Sequence, residues 1–206
     1  AQRADLFLHT NIVNTGIYCF NKDIGNILHE TRLMDFGSEV FPYLLENQYD
    51  LYGFVRNYYW MDAGNSTTYL WLNWDLLRKY AWPILPNGAE YDGIYVMGII
   101  NSGQNITIDK PACFGEFVQL ENRVKIKELT SIGQNVTIGE DTVIEKSILW
   151  DNIKIGAGCI ITESIICNDC EIGENVVLEG TIVAPNCKIH NNSQLRDQTL
   201  ELGTNI

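Results

Sequence analysis

Large apolar residues recur at fixed intervals through the second half of the chain. They lie six positions apart from Ile108 to Ile144, and the spacing then runs five, six and six up to Leu195. The positions are Ile108, Phe114, Leu120, Ile126, Ile132, Ile138, Ile144, Leu149, Ile155, Ile161, Ile166, Ile172, Leu178, Val183, Ile189 and Leu195. A repeat of this length does not keep to one face of a 3.6-residue helix, and fixed repeats are typical of solenoids. The pattern therefore predicts a left-handed parallel β-helix built from hexapeptide repeats.

A second column of compact residues follows four positions after each large residue except the last. It consists of Ala112, Val118, Val124, Thr130, Val136, Thr142, Ile148, Ile153, Cys159, Ile165, Cys170, Val176, Ile182, Cys187 and Ser193. We expect both columns to point inward, with three strand segments in each coil and stacked coils sharing one core. Burial of each large residue should contribute about 1.5–3 kcal/mol to stability.

Residues suited to tight turns recur with the same register. The aligned sets are Gly139, Gly156 and Gly173; Asn135, Asn152, Asp169 and Asn186; and Ser147, Ser164 and Thr181. Glycine, asparagine and aspartate tolerate the tight or left-handed backbone that a corner of the coil needs. These columns therefore indicate where the coils turn.

The first third of the chain has no such repeat and predicts a mixture of strands and helices. Residues 11–20 and Leu51–Val55 are rich in strand-forming residues. A capped helix is expected from about Ser38. Asn65 or Ser66 can cap a second helix, which should end before the Trp82-Pro83 pair.

These patterns divide the chain into three parts. Residues 1–80 are expected to form the first domain, residues 81–93 a linker rich in proline and glycine, and residues 94–206 the β-helix. The chain of 206 residues is long enough for one large or two modest domains.

The composition narrows the possible partners. The formal net charge of −12 argues against nucleic acid, because that binding relies on Lys and Arg at the phosphates. No apolar run reaches the length of a membrane span, and we expect no signal peptide.

The six cysteines predict reduced thiols and a cytoplasmic location. Cys167 and Cys170 have the spacing of half a zinc site, but Cys170 falls in the inward column, so we interpret the pair as one buried and one surface thiol.

Two short segments carry residues suited to binding chemistry. In Asn14-Thr15-Gly16, glycine allows a ligand to approach the backbone, and the amide and hydroxyl groups can bond to a sugar. Asp62 lies between aromatic residues and Gly64, where its carboxylate could take a divalent cation that completes its shell with substrate phosphates. The simpler interpretations are a turn for the first segment and a helix cap for Asp62.

The order of these segments resembles the second half of a sugar-1-phosphate nucleotidyltransferase. The resemblance rests on Asn14-Thr15-Gly16-Ile17-Tyr18, Phe41-Pro42 with Leu44-Leu45, and Tyr59-Trp60-Met61-Asp62-Ala63-Gly64 with Tyr69, followed by the hexapeptide repeats. Within that superfamily, Trp60-Met61-Asp62 is most similar to the mannose-1-phosphate guanylyltransferases. The resemblance implies the last part of a doubly wound α/β nucleotidyltransferase domain with a β-helix behind it.

The resemblance also implies an activity and roles for these residues. Family members join a nucleoside triphosphate, here GTP, to a sugar-1-phosphate and release pyrophosphate, giving GDP-mannose in this subfamily. Asp62 would be one of two aspartates that bind Mg²⁺. Asn14, Thr15 and Gly16 would line the sugar pocket, while Trp60 and Gly64 would shape the backbone that presents Asp62.

The family's catalytic residues have no counterpart in this sequence. Its glycine-rich triphosphate loop, with an arginine and a lysine, and its other metal aspartate belong to the N-terminal half of the enzyme. We therefore expect a fragment that is inactive alone, that contains no catalytic residue, and that forms homo-oligomers through the β-helix.

Two other functions fit parts of the sequence. The chain could be a non-catalytic regulatory or assembly subunit of the same family, since solenoid faces are natural association surfaces. It could also be a hexapeptide-repeat acyltransferase with His190 as general base, although that function would leave the first third of the chain without a role.

Overall fold

A computed structural model describes residues 12–206, which divide into two compact units after Trp60. In the first unit, helix α1 spans Ile24–Thr31, and a π-helical turn at Phe36–Val40 continues into α2 at Phe41–Glu46. The carboxylate of Asp35 caps the turn by accepting the backbone N–H of Ser38. Hydrogen bonds from the Ser38 side chain and backbone hold the pKa of Asp35 below its ordinary value. The helix expected from about Ser38 is therefore confirmed, with its cap three residues earlier.

The strands expected in this unit are wrong. No strand forms in residues 12–20 or in Leu51–Val55, and residue 11 lies outside the described part of the chain. Both segments contain β-branched and aromatic side chains, but a strand is completed only by hydrogen bonds to a neighbouring strand. The described residues of this unit provide no such neighbour.

The second unit begins with helix α3, Ser66–Leu77, which starts as the sequence predicts. The side chain of Asn65 accepts the backbone N–H of Thr68 at 2.9 Å, and the Thr68 hydroxyl accepts the backbone N–H of Asn65 at 3.3 Å. This reciprocal arrangement is a capping box. The helix ends at Leu77, before Trp82-Pro83, as expected.

Replacing Asn65 by alanine should remove this cap. We expect a loss of about 1 kcal/mol of unfolding free energy, because the first turn of α3 then has an unpaired N–H. Urea unfolding followed by circular dichroism measures the change. Asn65→Asp is the matched control, since a carboxylate accepts the same hydrogen bond and should retain most of the stability. Equal losses in the two variants would contradict the capping role.

The rest of the second unit is a three-sided parallel β-helix, and this part of the predicted fold class is confirmed. Successive strands occupy three sheets in rotation, and all pair in parallel except β1 with β2. We name the three sheets by what their outer surfaces carry.

The helix-covered face has eight strands. They are β1 Ala89–Tyr91, β2 Ile94–Val96, β5 Ala112–Phe114, β8 Thr130–Ile132, β11 Ile148–Leu149, β14 Ile165–Ile166, β17 Ile182–Val183 and β20 Thr199–Leu200. The charged face comprises β3 Ile100–Ser102, β6 Val118–Leu120, β9 Thr137–Ile138, β12 Lys154–Ile155, β15 Glu171–Ile172 and β18 Lys188–Ile189. The aliphatic face comprises β4 Thr107–Ile108, β7 Lys125–Ile126, β10 Val143–Glu145, β13 Ile160–Thr162, β16 Val177–Glu179 and β19 Gln194–Arg196.

The predicted ladder of large residues forms the core of the β-helix. Every member is buried except Ile108, which lies in the first coils and is half-buried. The predicted corner column Asn135, Asn152, Asp169 and Asn186 has positive φ angles of 54° to 60°, as a left-handed corner requires. The glycine at position 139 is required for a different reason than a positive φ. A Cβ at Gly139 would lie 2.5 Å from the carbonyl carbon of Gly156 in the next coil, so the close approach of the coils excludes a side chain there.

The second column is correct for most coils and wrong at Ile148, Ile165 and Ile182. These three side chains point outward, and the buried positions belong to Ser147, Ser164 and Thr181. The reason is a change in coil length. Ile126 pairs with Ile144, 18 residues later, whereas Ile144 pairs with Ile161, 17 residues later. One corner is shorter by a residue, so the compact inward residue comes three positions after the rung instead of four.

The shortened corner carries a column of buried hydroxyl groups. Ser147 donates to the carbonyl of Glu145 at 2.7 Å and accepts the backbone N–H of Ser164 at 3.1 Å. Ser164 in turn accepts the backbone N–H of Thr181 at 3.0 Å. Each hydroxyl is therefore hydrogen-bonded inside a core that would penalise an unpaired polar group.

Helix α3 packs on the helix-covered face. Leu70 contacts the outward Ile148 and Ile165, while Leu77 contacts Tyr95. The indole N–H of Trp74 donates to a backbone carbonyl of the β-helix, that of Lys146, at 3.2 Å. Helix α3, which the sequence assigned to the first domain, is therefore part of the β-helix unit. The segment expected to be a linker, residues 81–93, includes strand β1.

Candidate functional site

Residues 14–16 form a tight, exposed loop in the first unit. The side-chain oxygen of Asn14 accepts the backbone N–H of Gly16 at 3.0 Å, and Gly16 has a φ of 74°. Nothing lies within 4 Å of a Cβ built on Gly16, so its positive φ, and not crowding, is what favours glycine. The backbone of this segment is thus a turn, as the simpler interpretation expected. The side chain of Thr15 is exposed in this turn.

The Asn14 amide has a second partner that the sequence did not indicate. Its Nδ2 donates to the hydroxyl of Tyr18 at 2.9 Å. The Tyr18 ring stacks on Phe36 with centroids 5.4 Å apart and meets Phe41 edge-on at 4.9 Å. An aromatic cluster therefore holds Tyr18, and Tyr18 orients Asn14. The sequence signal for this contact was that Asn14 and Tyr18, two polar residues of the same motif, lie four positions apart.

Asp62 is exposed in an irregular segment that precedes α3. Its carboxylate lies over Gly64, where a Cβ would be 3.5 Å from Oδ1. The helix cap is Asn65, so Asp62 does not have the capping role that composition alone favoured. Trp60 keeps 43% of its surface exposed, which excludes a core position for it.

The described residues can supply only part of a metal site. No group of three or more His, Cys, Asp or Glu side chains suited to a metal occurs between residues 12 and 206. One carboxylate, that of Asp62, suits Mg²⁺ when substrate phosphates and water provide the other oxygens. Cys170 is an inert core thiol, because burial raises its pKa to about 11.

An open groove of about 750 Å³ lies on the charged face, in the last coils. Lys154, Glu171, Lys188 and His190 line it, and Lys188 pairs with Glu171 at 3.2 Å. His190 is the histidine of the acyltransferase alternative, and it is exposed at a corner.

None of the described helices is long and apolar enough to cross a membrane.

Comparison with known proteins assigns both parts of the chain. The EIF2B subunit epsilon LbH domain matches residues 92–195, half of the chain. The chain belongs to this family. The nucleotidyl transferase family matches residues 2–79, which include the Asn14–Gly16 loop and Asp62. A segment that matches the nucleotidyl transferase family therefore precedes the LbH domain in this chain.

The relatives found among curated proteins are sugar-1-phosphate nucleotidyltransferases. A UTP–glucose-1-phosphate uridylyltransferase of Synechocystis is 26% identical over 145 residues, 68% of this chain and 36% of the relative. Glucose-1-phosphate adenylyltransferases of Mycoplasma mobile and Lachnospira eligens are 30% and 33% identical, over 63% and 66% of this chain. The chain covers 35% and 31% of those two proteins, so it spans about a third of the relatives it matches.

Proposed function

We propose that this chain is the sugar-binding and β-helix part of an enzyme that makes a nucleotide sugar from a nucleoside triphosphate and a sugar-1-phosphate. The main support is that one chain contains the Asn14–Gly16 loop and Asp62 within a nucleotidyl transferase segment, directly before an LbH domain. The names of the relatives point to the same reaction class.

In this reaction an oxygen of the sugar phosphate attacks the α-phosphorus of the triphosphate, and pyrophosphate leaves. The protein's work is mainly to position the two substrates and to offset their charge. The exposed Thr15 hydroxyl and the loop backbone would bond to sugar hydroxyls. Tyr18, held by the aromatic cluster, would keep the Asn14 amide oriented toward the same ligand.

Asp62 would contribute a carboxylate oxygen to bound Mg²⁺, together with phosphate oxygens of the substrates. Such an ion neutralises phosphate charge when bound. Asp62 is exposed in an irregular segment, so its side chain can reach a ligand without breaking packing.

For the substrates, we propose GTP and mannose-1-phosphate. The support is the Trp60-Met61-Asp62 sequence, which is most similar to the mannose-1-phosphate guanylyltransferases. UTP or ATP with glucose-1-phosphate is the second candidate, because the relatives found carry those names.

Pyrophosphate release tests this proposal in the natural protein that contains this chain. Each of GTP, UTP and ATP is combined with mannose-1-phosphate and with glucose-1-phosphate at fixed Mg²⁺. We expect the fastest release with GTP and mannose-1-phosphate. Faster release with glucose-1-phosphate would change the proposed sugar substrate and leave the proposed reaction in place. No release with any pair would contradict the enzyme and favour the regulatory or assembly subunit.

A further inference from the structure

The three faces of the β-helix differ in what their outward side chains carry. On the charged face the outward residues are Asn101, Gln119, Thr137, Lys154, Glu171 and Lys188. On the helix-covered face, Ile148 and Ile165 are outward and aliphatic, and they are only 3% and 6% exposed because α3 packs on them. The aliphatic face has the same kind of residue in the same coils and remains exposed.

The exposed residues of the aliphatic face form a continuous stripe. Val143 pairs with Ile160, and Ile160 pairs with Val177, so the three side chains stack directly on one another. Ile160 is 48% exposed although Val143 and Val177 flank it in the neighbouring strands. Its outer surface is therefore open to solvent, in contrast to Ile165 under α3. Three stacked aliphatic residues at the centre of a flat sheet are the composition expected of the centre of an interface.

A second, parallel column on the same face carries charges of both signs. In strand order it reads Asp109, Lys127, Glu145, Thr162, Glu179 and Arg196. Within one molecule, Lys127 pairs with Asp109 at 3.0 Å and Arg196 pairs with Glu179 at 3.3 Å. The members of both ion pairs keep between 39% and 69% of their side chains exposed, so each can take a further partner from outside.

The order of these charges is complementary to itself in reverse. Let a second copy face the first across a two-fold axis parallel to the strands, centred between β10 and β13, the middle of the six-stranded sheet. Asp109 then lies opposite the second copy's Arg196, and Lys127 lies opposite the second copy's Glu179. The symmetry repeats both contacts, which gives four pairs of opposite charge.

The same two-fold axis also places aliphatic residues of the two copies opposite each other. Val143 lies opposite the second copy's Ile160, and Ile160 lies opposite the second copy's Val143. Glu145 lies opposite Thr162 and Lys125 lies opposite Val177, so no two like charges face each other. Shifting the axis to the centre of β13 would place Glu145 opposite Glu179 and Lys127 opposite Arg196, and both contacts would be repulsive. The charge order thus selects one register.

We propose that the aliphatic face is a homodimer interface in which two copies of this chain pack face to face, with their coil axes antiparallel, in this register. The inference rests on the β-helix and not on the catalytic proposal, so either can fail without the other. A six-stranded face measures roughly 29 Å by 17 Å, or about 500 Å² per copy, against about 800 Å² for a standard stable interface. The dimer should accordingly be reversible and dependent on concentration.

Sedimentation velocity of the 206-residue chain, from low micromolar to millimolar concentration, measures the dimer. We expect Ile160→Glu to weaken it at least about tenfold, because the introduced charge would face Val143 of the second copy. Thr137→Glu is the matched control, since it places the same charge in an outward position of the charged face, and it should leave dimerisation unchanged. Circular dichroism melting verifies that both variants fold.

A charge exchange tests the register itself. Arg196→Glu should weaken the dimer, because it places a carboxylate opposite Asp109 of the second copy. The double variant Asp109→Arg with Arg196→Glu should recover dimerisation, since it restores opposite charges across the axis. A chain that stays monomeric at every concentration, a dimer that Ile160→Glu leaves intact, or a double variant no better than Arg196→Glu would each overturn the proposal.

Discussion

Replacing Ile155 by aspartate is expected to unfold the coils on either side of it. Ile155 lies in β12, pairs with Ile138 and Ile172, and is buried in the core between them. The substitution removes about 1.5–3 kcal/mol of apolar burial. It also places an unpaired carboxylate where no described side chain offers a counter-charge, because the core cluster is formed by aliphatic, aromatic and cysteine residues. The total loss should exceed about 4 kcal/mol, which is a large part of the stability of a domain.

The preceding residue provides a matched control for this prediction. Lys154 belongs to the same strand, but its side chain points outward and is exposed. Lys154→Asp introduces the same carboxylate one position away and should change the melting temperature only slightly. Thermal unfolding followed by circular dichroism compares the two variants. Similar melting curves for Ile155→Asp and Lys154→Asp would show that the inward and outward positions have been exchanged.

In the proposed enzyme, replacing Asp62 by asparagine is expected to reduce turnover about a hundredfold or more at fixed Mg²⁺. An amide keeps the size of the side chain but lacks the negative charge that attracts a divalent cation. Charge neutralisation at transferring phosphates contributes several kcal/mol, and each 1.36 kcal/mol corresponds to a factor of ten in rate. Raising the Mg²⁺ concentration should recover part of the activity.

Stability measurements separate this effect from damage to the fold. Asp62 is exposed and belongs to no helix or strand, so Asp62→Asn should melt at the same temperature as the wild type. Asp50→Asn serves as the control, because Asp50 is also an exposed carboxylate in an irregular segment. Turnover in Asp62→Asn equal to that of Asp50→Asn would remove Asp62 from the metal site.

The β-helix was predictable because its cause is local and repeated. A large apolar residue every six positions corresponds directly to the buried rungs, and asparagine recurs where the backbone takes a positive φ. The prediction failed at Ile148, Ile165 and Ile182, where apolar residues lie beside serine or threonine. Hydrophobicity alone would bury the isoleucine. In the structure, the shorter corner buries the hydroxyl, and α3 covers Ile148 and Ile165.

The first unit was less predictable because its contacts are not periodic. Residues 12–20 have strand-forming side chains, yet a strand depends on a partner whose position the local sequence does not specify. Helix caps are local, so the sequence narrowed the cap of α3 to Asn65 or Ser66, and the structure has Asn65. The contact of Asn14 with Tyr18 was missed because it depends on an aromatic cluster with Phe36 and Phe41, assembled from separate parts of the chain.

The repeated hydroxyl of the 17-residue coils has a consequence for how such a chain can change length. Ser147 and Ser164 present the same acceptor to the coil that follows, and Ser164 and Thr181 present the same donor to the coil that precedes. Excision or duplication of one whole period would therefore rejoin chemically equivalent ends. Related proteins can thus grow or shrink in discrete increments of about 4.8 Å, one strand spacing at a time, with the cross-section of the prism unchanged.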